Sequence, residues 1–357
     1  MKFVHIADTH FDMPFRLLSD RSNLGEIRRL DQRKAFKKMI EYIKENKIPY
    51  LFIAGDLYDH EYIRESTIEY INNLFDEIPE TKIYITPGNH DPYLKNSYYE
   101  SYNWSENVKI FTAKVEKVEN KDFILYGYGF EDFYSKDSKI EEIELENKEK
   151  INILLTHCNL DGSDKNEKDY NNISSKKLKE IGFDYIALGH IHKKNIEENT
   201  NIIYPGSTIS LGFDEQGHHG MVVGNLEKEN LKLEFISLDE KELKEEELDI
   251  SNIKTIEELL EQIGKLELKE NSLYKITLIG NRNFEINTYK LIKMIESKEI
   301  IKIKDKTKIG YDLEKISKEE TTLRGIYVKE ILEKIEKEPE NKEMLEKALE
   351  IGLEVLS

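Results

Sequence analysis

The sequence predicts an α/β fold, and three observations support that prediction. From residue 1 to about residue 238, short runs rich in β-branched and aromatic residues alternate with stretches of helical periodicity. Several of the apolar runs are nearly continuous, as in strands buried on both faces of a sheet. Polar side chains that can bind metals recur where these runs end, at the edge where the loops of a parallel sheet meet.

The elements follow one another in a regular order. The predicted strands are residues 2–7, 50–54, 82–86, 123–126, 151–156, 185–188, 202–204, 221–224 and 231–236. Helical spacing of apolar residues marks 28–45, 67–75 and 174–181. The charge-dense stretch 239–249 indicates a linker or an exposed helix. Beyond it, helices at 255–265 and 288–297 and strands at 273–279 and 300–304 predict a small α+β unit.

Two amphipathic helices are predicted at the end of the chain, where they either pack on their own domain or bind a partner. These patterns divide the chain into residues 1–238, a second domain at 239–317, and the helices at 318–357. The length of 357 residues is in keeping with this division.

Composition excludes several classes of protein. Of the residues, 38% are apolar and 35% are charged, and no run reaches the roughly 18 apolar residues that cross a bilayer. We therefore expect no membrane insertion, and we see no export signal at the N-terminus. The single cysteine, Cys158, cannot form an internal disulfide or a thiolate cage, so we expect a reducing compartment, the cytoplasm, and N and O metal ligands.

The net charge of −18 argues against nonspecific coating of nucleic acids or anionic membranes by the whole chain. The first 50 residues nevertheless carry 11 Lys and Arg against 7 Asp and Glu. Most of these cations lie on the helix predicted at 28–45. A solvated helix face is the commoner explanation, and contact with DNA is the alternative. The candidate DNA-binding residues are Arg28, Arg29, Arg33 and Lys37.

Five segments at strand ends contain the residues that point to chemistry. They contribute Asp8 and His10, then Asp56 and Asp59, then Asn89 and His90, then His157, and last His190 and His192. Because loops at the carboxyl ends of strands emerge at one edge of an open sheet, we expect these segments to converge on one crevice.

These residue types suit a pair of divalent cations. Such a pair needs one shared anionic ligand, several neutral ligands, and open positions for water and phosphate. Asp56 can bridge the ions, and Asn89 supplies an amide oxygen without adding charge. Side-chain alternation sends His190 and His192 to the same side, so that each can reach a different ion. Each motif is weak alone, but the five together in this order are specific.

The five motifs resemble those of the calcineurin-like metallophosphoesterase superfamily. Within that superfamily, their order and spacing and the segment Tyr204-Pro205-Gly206-Ser207 are most similar to the SbcD-type DNA repair nucleases. The segment Thr322 to Ile326, followed by two helices, is similar to the YhaO branch of that group. The resemblance covers residues 1–237 specifically and is looser beyond 240. It implies a two-sheet αββα sandwich with a small α+β capping domain and a C-terminal helical pair.

The resemblance also implies roles for individual residues. One ion would be held by Asp8, His10, Asp56 and His192, and the other by Asp56, Asn89, His157 and His190. His90 would stabilise or protonate the leaving oxygen, and Asp59 would orient His90 or lie behind the metal ligands, a role that the neighbouring His60 could also fill. Ligands without thiolate suit Mn²⁺, and Fe or Zn are alternatives.

The function implied is a two-metal-ion DNA nuclease in DNA repair and end processing, with an SbcC-like coiled-coil ATPase as partner and a homodimer as the assembly. Two alternatives remain open at this point. One is a small-substrate phosphatase or cyclic-nucleotide phosphodiesterase with the same metal ligands. The other is a non-catalytic scaffold of the same fold that binds an ATPase through the last two helices. Retention of His90 weighs against the scaffold, and the additional C-terminal domain weighs against a minimal phosphatase.

Overall fold

A computed structural model of the chain describes residues 1–15, 24–135, 138–162, 171–196, 200–311, 313–319 and 321–356. The chain divides into two compact units. The first comprises residues 1–246, 267–275 and 297–302, and the second comprises 247–266, 276–296 and 303–357. The predicted domain boundaries, near residues 238 and 317, stay a prediction.

The elements of the described residues are as follows, in chain order. The strands are β1 (Lys2–Ile6), β2 (Tyr50–Ala54), β3 (Lys82–Thr86), β4 (Val108–Ile110), β5 (Glu116–Glu119), β6 (Phe123–Tyr128), β7 (Ile151–His157), β8 (Tyr185–Gly189), β9 (Ile202–Ile203), β10 (Gly220–Glu227), β11 (Asn230–Ser237), β12 (Glu242–Asp249), β13 (Ser272–Ile279), β14 (Asn281–Arg282), β15 (Ile300–Asp305) and β16 (Lys308–Ile309). The helices are α1 (Leu24–Asn46), α2 (Glu65–Asp76), α3 (Tyr98–Ser101), α4 (Ser175–Ile181), α5 (Ile256–Gly264), α6 (Thr288–Met294), α7 (Leu313–Ser317), α8 (Leu323–Lys337) and α9 (Lys342–Val355).

Two mixed sheets form the centre of the first unit. The six-stranded sheet has the order β11-β10-β1-β2-β3-β4, in which β1 to β4 are parallel and β10 and β11 are antiparallel to their neighbours. The five-stranded sheet has the order β5-β6-β7-β8-β9, parallel from β6 onward. The parallel strands bring their carboxyl ends to one edge, which is where the site is built.

Side-chain alternation along the strands creates the layers. On β2, Phe52 packs between the two sheets, whereas Ile53 faces the core under α1 and α2. Across the space between the sheets, the rings of Phe3 and Tyr185 lie 4.6 Å apart. On the outer face of the five-stranded sheet, Leu178 of α4 is buried in the same hydrophobic cluster as Ile186 and Leu188 of β8. Helices therefore cover both outer faces, and the predicted αββα sandwich is confirmed.

Among the described residues, five strands were not predicted from the sequence: β4, β5, β12, β14 and β16. The strands β4 and β5 were not predicted, because three or four residues are too short to display a period of two. The stretch 239–249, predicted as a linker or an exposed helix, contains β12 instead. Pairing with β13 orders this charged strand, and its Leu243 is buried beside Leu273. That pairing partner lies about 30 residues downstream, so local sequence cannot reveal it.

The C-terminal helical pair is present in the second unit, and its helices pack on each other. Val328 of α8 is buried together with Leu349 and Leu353 of α9. The Tyr327 hydroxyl donates a hydrogen bond to the Ala348 carbonyl at 2.7 Å. Within the described part of the chain, no helix has both the length and the apolar character needed to cross a bilayer.

Candidate metal centre

All nine predicted metal-ligating and catalytic residues lie at the carboxyl ends of strands in the first unit or in the loops that follow them. They are Asp8 and His10 after β1, Asp56 and Asp59 after β2, Asn89 and His90 after β3, His157 at the end of β7, and His190 and His192 after β8. Backbone hydrogen bonds join neighbouring loops. The Asp8 N–H donates to the Gly55 carbonyl at 3.1 Å, and the His10 N–H donates to the backbone carbonyl of Asp56 at 2.9 Å. The structure therefore brings these nine residues together.

Four of these residues have backbone angles that side chains other than glycine seldom adopt. The φ angle is 51° at Asp8, 50° at His10, 51° at Asp56 and 104° at His190. Each such residue costs on the order of 1–3 kcal/mol and persists only where its surroundings enforce it. Strain of this kind clusters at functional sites, because it turns side chains toward a common point.

Asp56 lies at the centre of the group and is 1% exposed. Its Oδ2 lies 3.5 Å from Nε2 of His10 and 3.4 Å from Nε2 of His157. Its Oδ1 accepts a hydrogen bond from the His90 backbone N–H at 2.8 Å. Burial raises the pKa of Asp56, but His157, His10 and His90 outweigh this and hold it well below its usual range. An ionised carboxylate between two rings suits a bridging ligand.

His157 and His190 both direct a ring nitrogen at the amide oxygen of Asn89. Nδ1 of His157 lies 2.9 Å from the Ala54 carbonyl, which only accepts, so Nδ1 carries the ring proton. In the neutral ring, Nε2 then presents a lone pair to Asn89 Oδ1 at 3.0 Å. Nδ1 of His190 lies 3.2 Å from the same oxygen, and burial lowers the pKa of that ring to about 3. Two imidazole rings thus meet one amide oxygen.

His10 and His192 form a second facing pair. Their Nε2 atoms are 3.2 Å apart. Nδ1 of His192 lies 2.6 Å from Oε1 of Glu215, so Nδ1 holds a proton and Nε2 is the nitrogen free to bind a metal. Burial lowers the pKa of His192, but Glu215 and Asp8 outweigh it and raise it to about 9. A proton or a cation must therefore lie between the two rings.

Asp8 completes this group and is fully buried. It accepts a hydrogen bond from the His190 N–H at 3.0 Å, and burial raises its pKa. Ligand atoms of Asp8, His10 and His192 lie within 4.8 Å of one another, as do those of Asp8, Asp56 and His157. Carboxylate, amide and imidazole ligand atoms gathered in this way suit divalent cations. Metal binding by these seven residues stays a prediction.

His90 and Asp59 form a pair beside the metal ligands. Nδ1 of His90 lies 2.7 Å from Asp59 Oδ1, and the His90 side chain is 49% exposed. Burial lowers the pKa of His90, but the bond to Asp59 and the surrounding carboxylates raise it to about 9. Burial raises the pKa of Asp59, while its contacts with His10 and His90 lower it to about 2. The structure thus places Asp59 where it can orient the ring of His90.

Two glycines make this packing possible. A side chain at Gly55, which has a φ of 85°, would collide with the ring of His157. A Cβ at Gly88 would collide with the Asp56 carboxylate, lying 2.9 Å from its Cγ. Close approach of the backbone is thus the reason for a glycine at these two positions before the ligands.

The Asp91 carboxylate holds the backbone of Asp56 through a hydrogen bond. Asp91 was not singled out from the sequence. It is fully buried and accepts hydrogen bonds from the N–H groups of Asp56 at 3.0 Å, Leu57 at 2.6 Å and Gly88 at 2.6 Å. The Tyr99 hydroxyl donates a fourth at 2.6 Å. Its place directly after His90 in the third motif was the only signal. The carboxylate ties the loop after β2 to the loop after β3.

Glu215, Ser207 and His219 lie behind His192 and were likewise missed. His218 is exposed, but His219 is 4% exposed, because its ring is held by the Ser207 hydroxyl at 2.8 Å and the Glu215 carbonyl at 2.7 Å. No local pattern links Glu215 to His192, since the two residues are 23 positions apart in the sequence.

The four candidate DNA-binding residues have different environments. Arg28 is fully buried, and its guanidinium donates to Asp239 at 2.8 Å and to the Ser210 carbonyl at 2.8 Å, so it is not available to a phosphate. Arg33 packs over Tyr70 and is one-third exposed, and Arg29 is partly buried. Lys37 is exposed, 3.8 Å from Glu41. Arg28 is therefore removed from the predicted surface, and the other three stay predictions.

Two remaining groups are structural. Cys158 is fully buried, which raises the pKa of its thiol to about 12, as expected for a small buried residue rather than a nucleophile. A group of aromatic residues follows Asn89 and His90 in the sequence and packs in the hydrophobic core under α1 and α2. The group consists of Tyr93, Tyr98, Tyr99, Tyr102 and Trp104.

Comparison with known proteins finds sequences that are similar to this chain. The chain is 25% identical over 276 residues to the uncharacterized metallophosphoesterase YhaO of Bacillus subtilis (strain 168), covering 74% of this chain and 66% of YhaO. It is 27% identical over 251 residues to the SbcD subunit of nuclease SbcCD from Staphylococcus epidermidis, covering 60% of this chain and 63% of that protein. The chain therefore spans slightly less than two thirds of the length of either relative.

The crystal structure of TT1561 of Thermus thermophilus matches 66% of this chain and 98% of that chain, with 10% sequence identity and a TM-score of 0.39. The sequence profile of the calcineurin-like phosphoesterases matches residues 1–194. This match covers more than half of the chain and includes every candidate metal ligand. The protein belongs to the calcineurin-like phosphoesterase family.

Proposed function

We propose that this protein is a two-metal-ion DNA nuclease that acts in DNA repair and end processing. The observation that carries the proposal is the convergence of imidazole, amide and carboxylate ligand atoms: His157 Nε2 lies 3.0 Å from Asn89 Oδ1, and the Nε2 atoms of His10 and His192 lie 3.2 Å apart. Asp56 Oδ2 lies between these pairs. Nitrogen and oxygen ligand atoms gathered this closely suit divalent cations, which bind neutral imidazole and ionised carboxylate.

The ligand sets follow from this arrangement. Asp8, His10, Asp56 and His192 would hold one ion, and Asp56, Asn89, His157 and His190 the other. Manganese is the proposed metal, with iron and zinc as alternatives, because the donors are oxygen and nitrogen atoms only. When bound, two such ions supply a nucleophilic water at neutral pH and neutralise charge on the phosphoryl oxygens.

His90 is proposed to act on the leaving oxygen. Asp59 holds its Nδ1, which leaves Nε2 of the half-exposed ring for the substrate. A hydrogen bond or proton delivered to the leaving oxygen from this nitrogen would assist cleavage of the phosphodiester bond. The role of Asp59 is to fix the orientation of the ring.

The choice of DNA as substrate rests on similarity and on charge. The relative from Staphylococcus epidermidis is one subunit of a nuclease, so its name indicates a complex with a second subunit. On α1, the exposed Lys37 and the partly exposed Arg29 and Arg33 offer positive charge to a polyanion. The Gln32 side chain of the same helix donates a hydrogen bond to the His10 carbonyl at 2.9 Å. The basic side chains therefore lie on a helix that contacts the loop containing Asp8 and His10.

An SbcC-like coiled-coil ATPase is the proposed partner, and α8 and α9 are the proposed place of contact. Leu323, Met344 and Val355 on these helices are 65–78% exposed. Apolar surface of this kind on a helical pair suits a partner helix. A homodimer and a cytoplasmic location are part of the same proposal.

The test is a nuclease assay on the full chain loaded with Mn²⁺. We expect degradation of linear single-stranded or double-stranded DNA and its loss on addition of EDTA. Bis-p-nitrophenyl phosphate and p-nitrophenyl phosphate serve as small substrates in parallel. Cleavage of the small esters with intact DNA would replace the nuclease by the phosphatase or phosphodiesterase alternative, and metal binding without any cleavage would favour the scaffold.

A further inference from the structure

A buried polar cluster braces His192 from the side opposite the candidate metal position. The cluster consists of Glu215, Ser207 and His219, which are 8%, 0% and 4% exposed. Glu215 Oε1 lies 2.6 Å from His192 Nδ1, and Oε2 accepts from the Leu211 N–H at 2.9 Å. The Ser207 hydroxyl lies 3.3 Å from Oε2. Each carboxylate oxygen of Glu215 thus has one N–H donor, His192 Nδ1–H for Oε1 and Leu211 N–H for Oε2.

The orientation of Glu215 is in turn fixed by the same cluster. Nε2 of His219 donates to the Glu215 carbonyl at 2.7 Å, so Nδ1 of His219 accepts from the Ser207 hydroxyl at 2.8 Å. The Ser207 N–H donates to the His192 carbonyl at 2.9 Å, which ties the cluster to the loop that it braces. Backbone and side chain of His192 are therefore held from one block of residues.

His192 needs such support more than the other histidine ligands do. It follows β8 in irregular chain, and its side chain is 31% exposed. His157 instead lies within β7, is fully buried, and has Nδ1 fixed by the Ala54 carbonyl. The ring of His157 is therefore oriented by a backbone carbonyl, whereas the ring of His192 is oriented by the carboxylate side chain of Glu215.

We propose that Glu215 is a positioning residue that keeps the proton of His192 on Nδ1 and directs Nε2 at the metal position shared with Asp8 and His10. The proposal rests on the proposed two-metal function. A carboxylate behind a metal-binding imidazole fixes the tautomer and the ring orientation and raises the basicity of the ligand. Because the ligands Asn89 and His157 do not contact Glu215, its loss should weaken one ion of the pair and spare the other.

The test compares wild type with Glu215→Gln in the full chain, using calorimetric titration of MnCl₂ into metal-free protein. A glutamine has one acceptor where two donors, His192 Nδ1–H and Leu211 N–H, require acceptors. We expect wild type to bind two ions and the variant to bind one with unchanged affinity and the other about 10–100-fold more weakly. Asp214→Asn is the matched control, since it removes a carboxylate from the exposed neighbouring position and should bind like wild type.

A second measurement needs no variant that could misfold. In zinc-loaded wild type labelled with ¹⁵N-histidine, the His192 ring should show a metal-bound Nε2 and a hydrogen-bonded proton on Nδ1. Metal binding through Nδ1, or equal affinities in wild type and Glu215→Gln for both ions, would overturn the assignment of Glu215. Failure of wild type to bind two cations would instead overturn the proposed function, so the two failures are distinguishable.

Discussion

Two regions of this protein reverse the usual distribution of polar and apolar side chains. At the carboxyl edge of the first unit, Asp56 and His157 are buried, with exposures of 1% and 0%. On the last two helices of the second unit, Leu323 and Val355 are 70% and 78% exposed. The first region places ionisable groups where charge is costly, and the second places large apolar groups in water.

The difference lies in the size of the cost. Burial of an unpaired charge costs several kcal/mol, so the first arrangement requires a counter-charge, for which the facing donors suit cations. Exposure of one leucine or valine forgoes only about 1.5–3 kcal/mol of burial, which a folded domain tolerates. Changes in the first region should therefore affect activity strongly, and changes at the exposed apolar positions should affect the isolated chain little.

The largest effect is expected from Asp56→Asn. An amide cannot supply the shared negative charge, and each cation is worth several kcal/mol of charge stabilisation, so we expect the rate of DNA cleavage to fall by about 10⁴-fold or more. Metal content by atomic emission should fall in parallel. Glu61→Gln, at an exposed position nearby in sequence, is the matched control. Retention of two metal ions by Asp56→Asn would refute the bridging role.

His90→Ala separates chemistry from metal binding in the same region. We expect a loss of about 10²–10⁴-fold in kcat with both ions retained, as for removal of a group that acts on the leaving oxygen. The neighbouring His60→Ala is the comparison. If His60→Ala abolished cleavage and His90→Ala did not, the assignment would move to His60.

Leu353→Ala tests the buried side of the terminal helices. Leu353 is 1% exposed and packs beside Val328, so its truncation should lower the free energy of unfolding by about 2–5 kcal/mol. Val355→Ala, two residues away and 78% exposed, should change it by less than about 0.5 kcal/mol. Urea unfolding followed by circular dichroism measures both, and a large loss from Val355→Ala would show that this surface is already covered.

His5 is a buried ionisable residue that is not among the candidate metal ligands, and the effect expected from changing it is smaller. It is fully buried against the Tyr185 hydroxyl at 2.9 Å, and burial lowers its pKa from 6.5 to about 3. Between these values the unfolded chain binds a proton that the folded chain does not, so stability falls as pH falls through this range, by up to about 1.4 kcal/mol per pH unit.

The measurement is the pH dependence of urea unfolding in EDTA for wild type and His5→Gln. The variant should lose this contribution and show a shallower decline between pH 6 and pH 4. His218→Gln, at an exposed histidine, should retain the slope of wild type. Identical slopes for wild type and His5→Gln would mean that His5 is protonated in the folded state.

Much of the fold and of the site could be predicted from the sequence, because both depend on local patterns. The alternation of buried strands with amphipathic helices predicts an α/β fold, and the family resemblance implies its two-sheet layering. Asp8, Asn89 and His190 lie directly where apolar runs end. Such residues need no knowledge of long-range contacts, since the edge of a parallel sheet brings all strand ends together. The short strands β4 and β5 lacked enough residues for any pattern to appear.

The sequence alone determined which side chains can bind metal and at which edge of the sheet they gather, because the period of a strand and the direction of parallel pairing are local properties. Only the tertiary structure decided the supporting contacts. Glu215 reaches His192, Asp239 withdraws Arg28 into the interior, and β12 is ordered by pairing with β13. These contacts join residues that are distant along the chain, and a hydrogen bond or ion pair at such a distance leaves no periodic trace in the sequence.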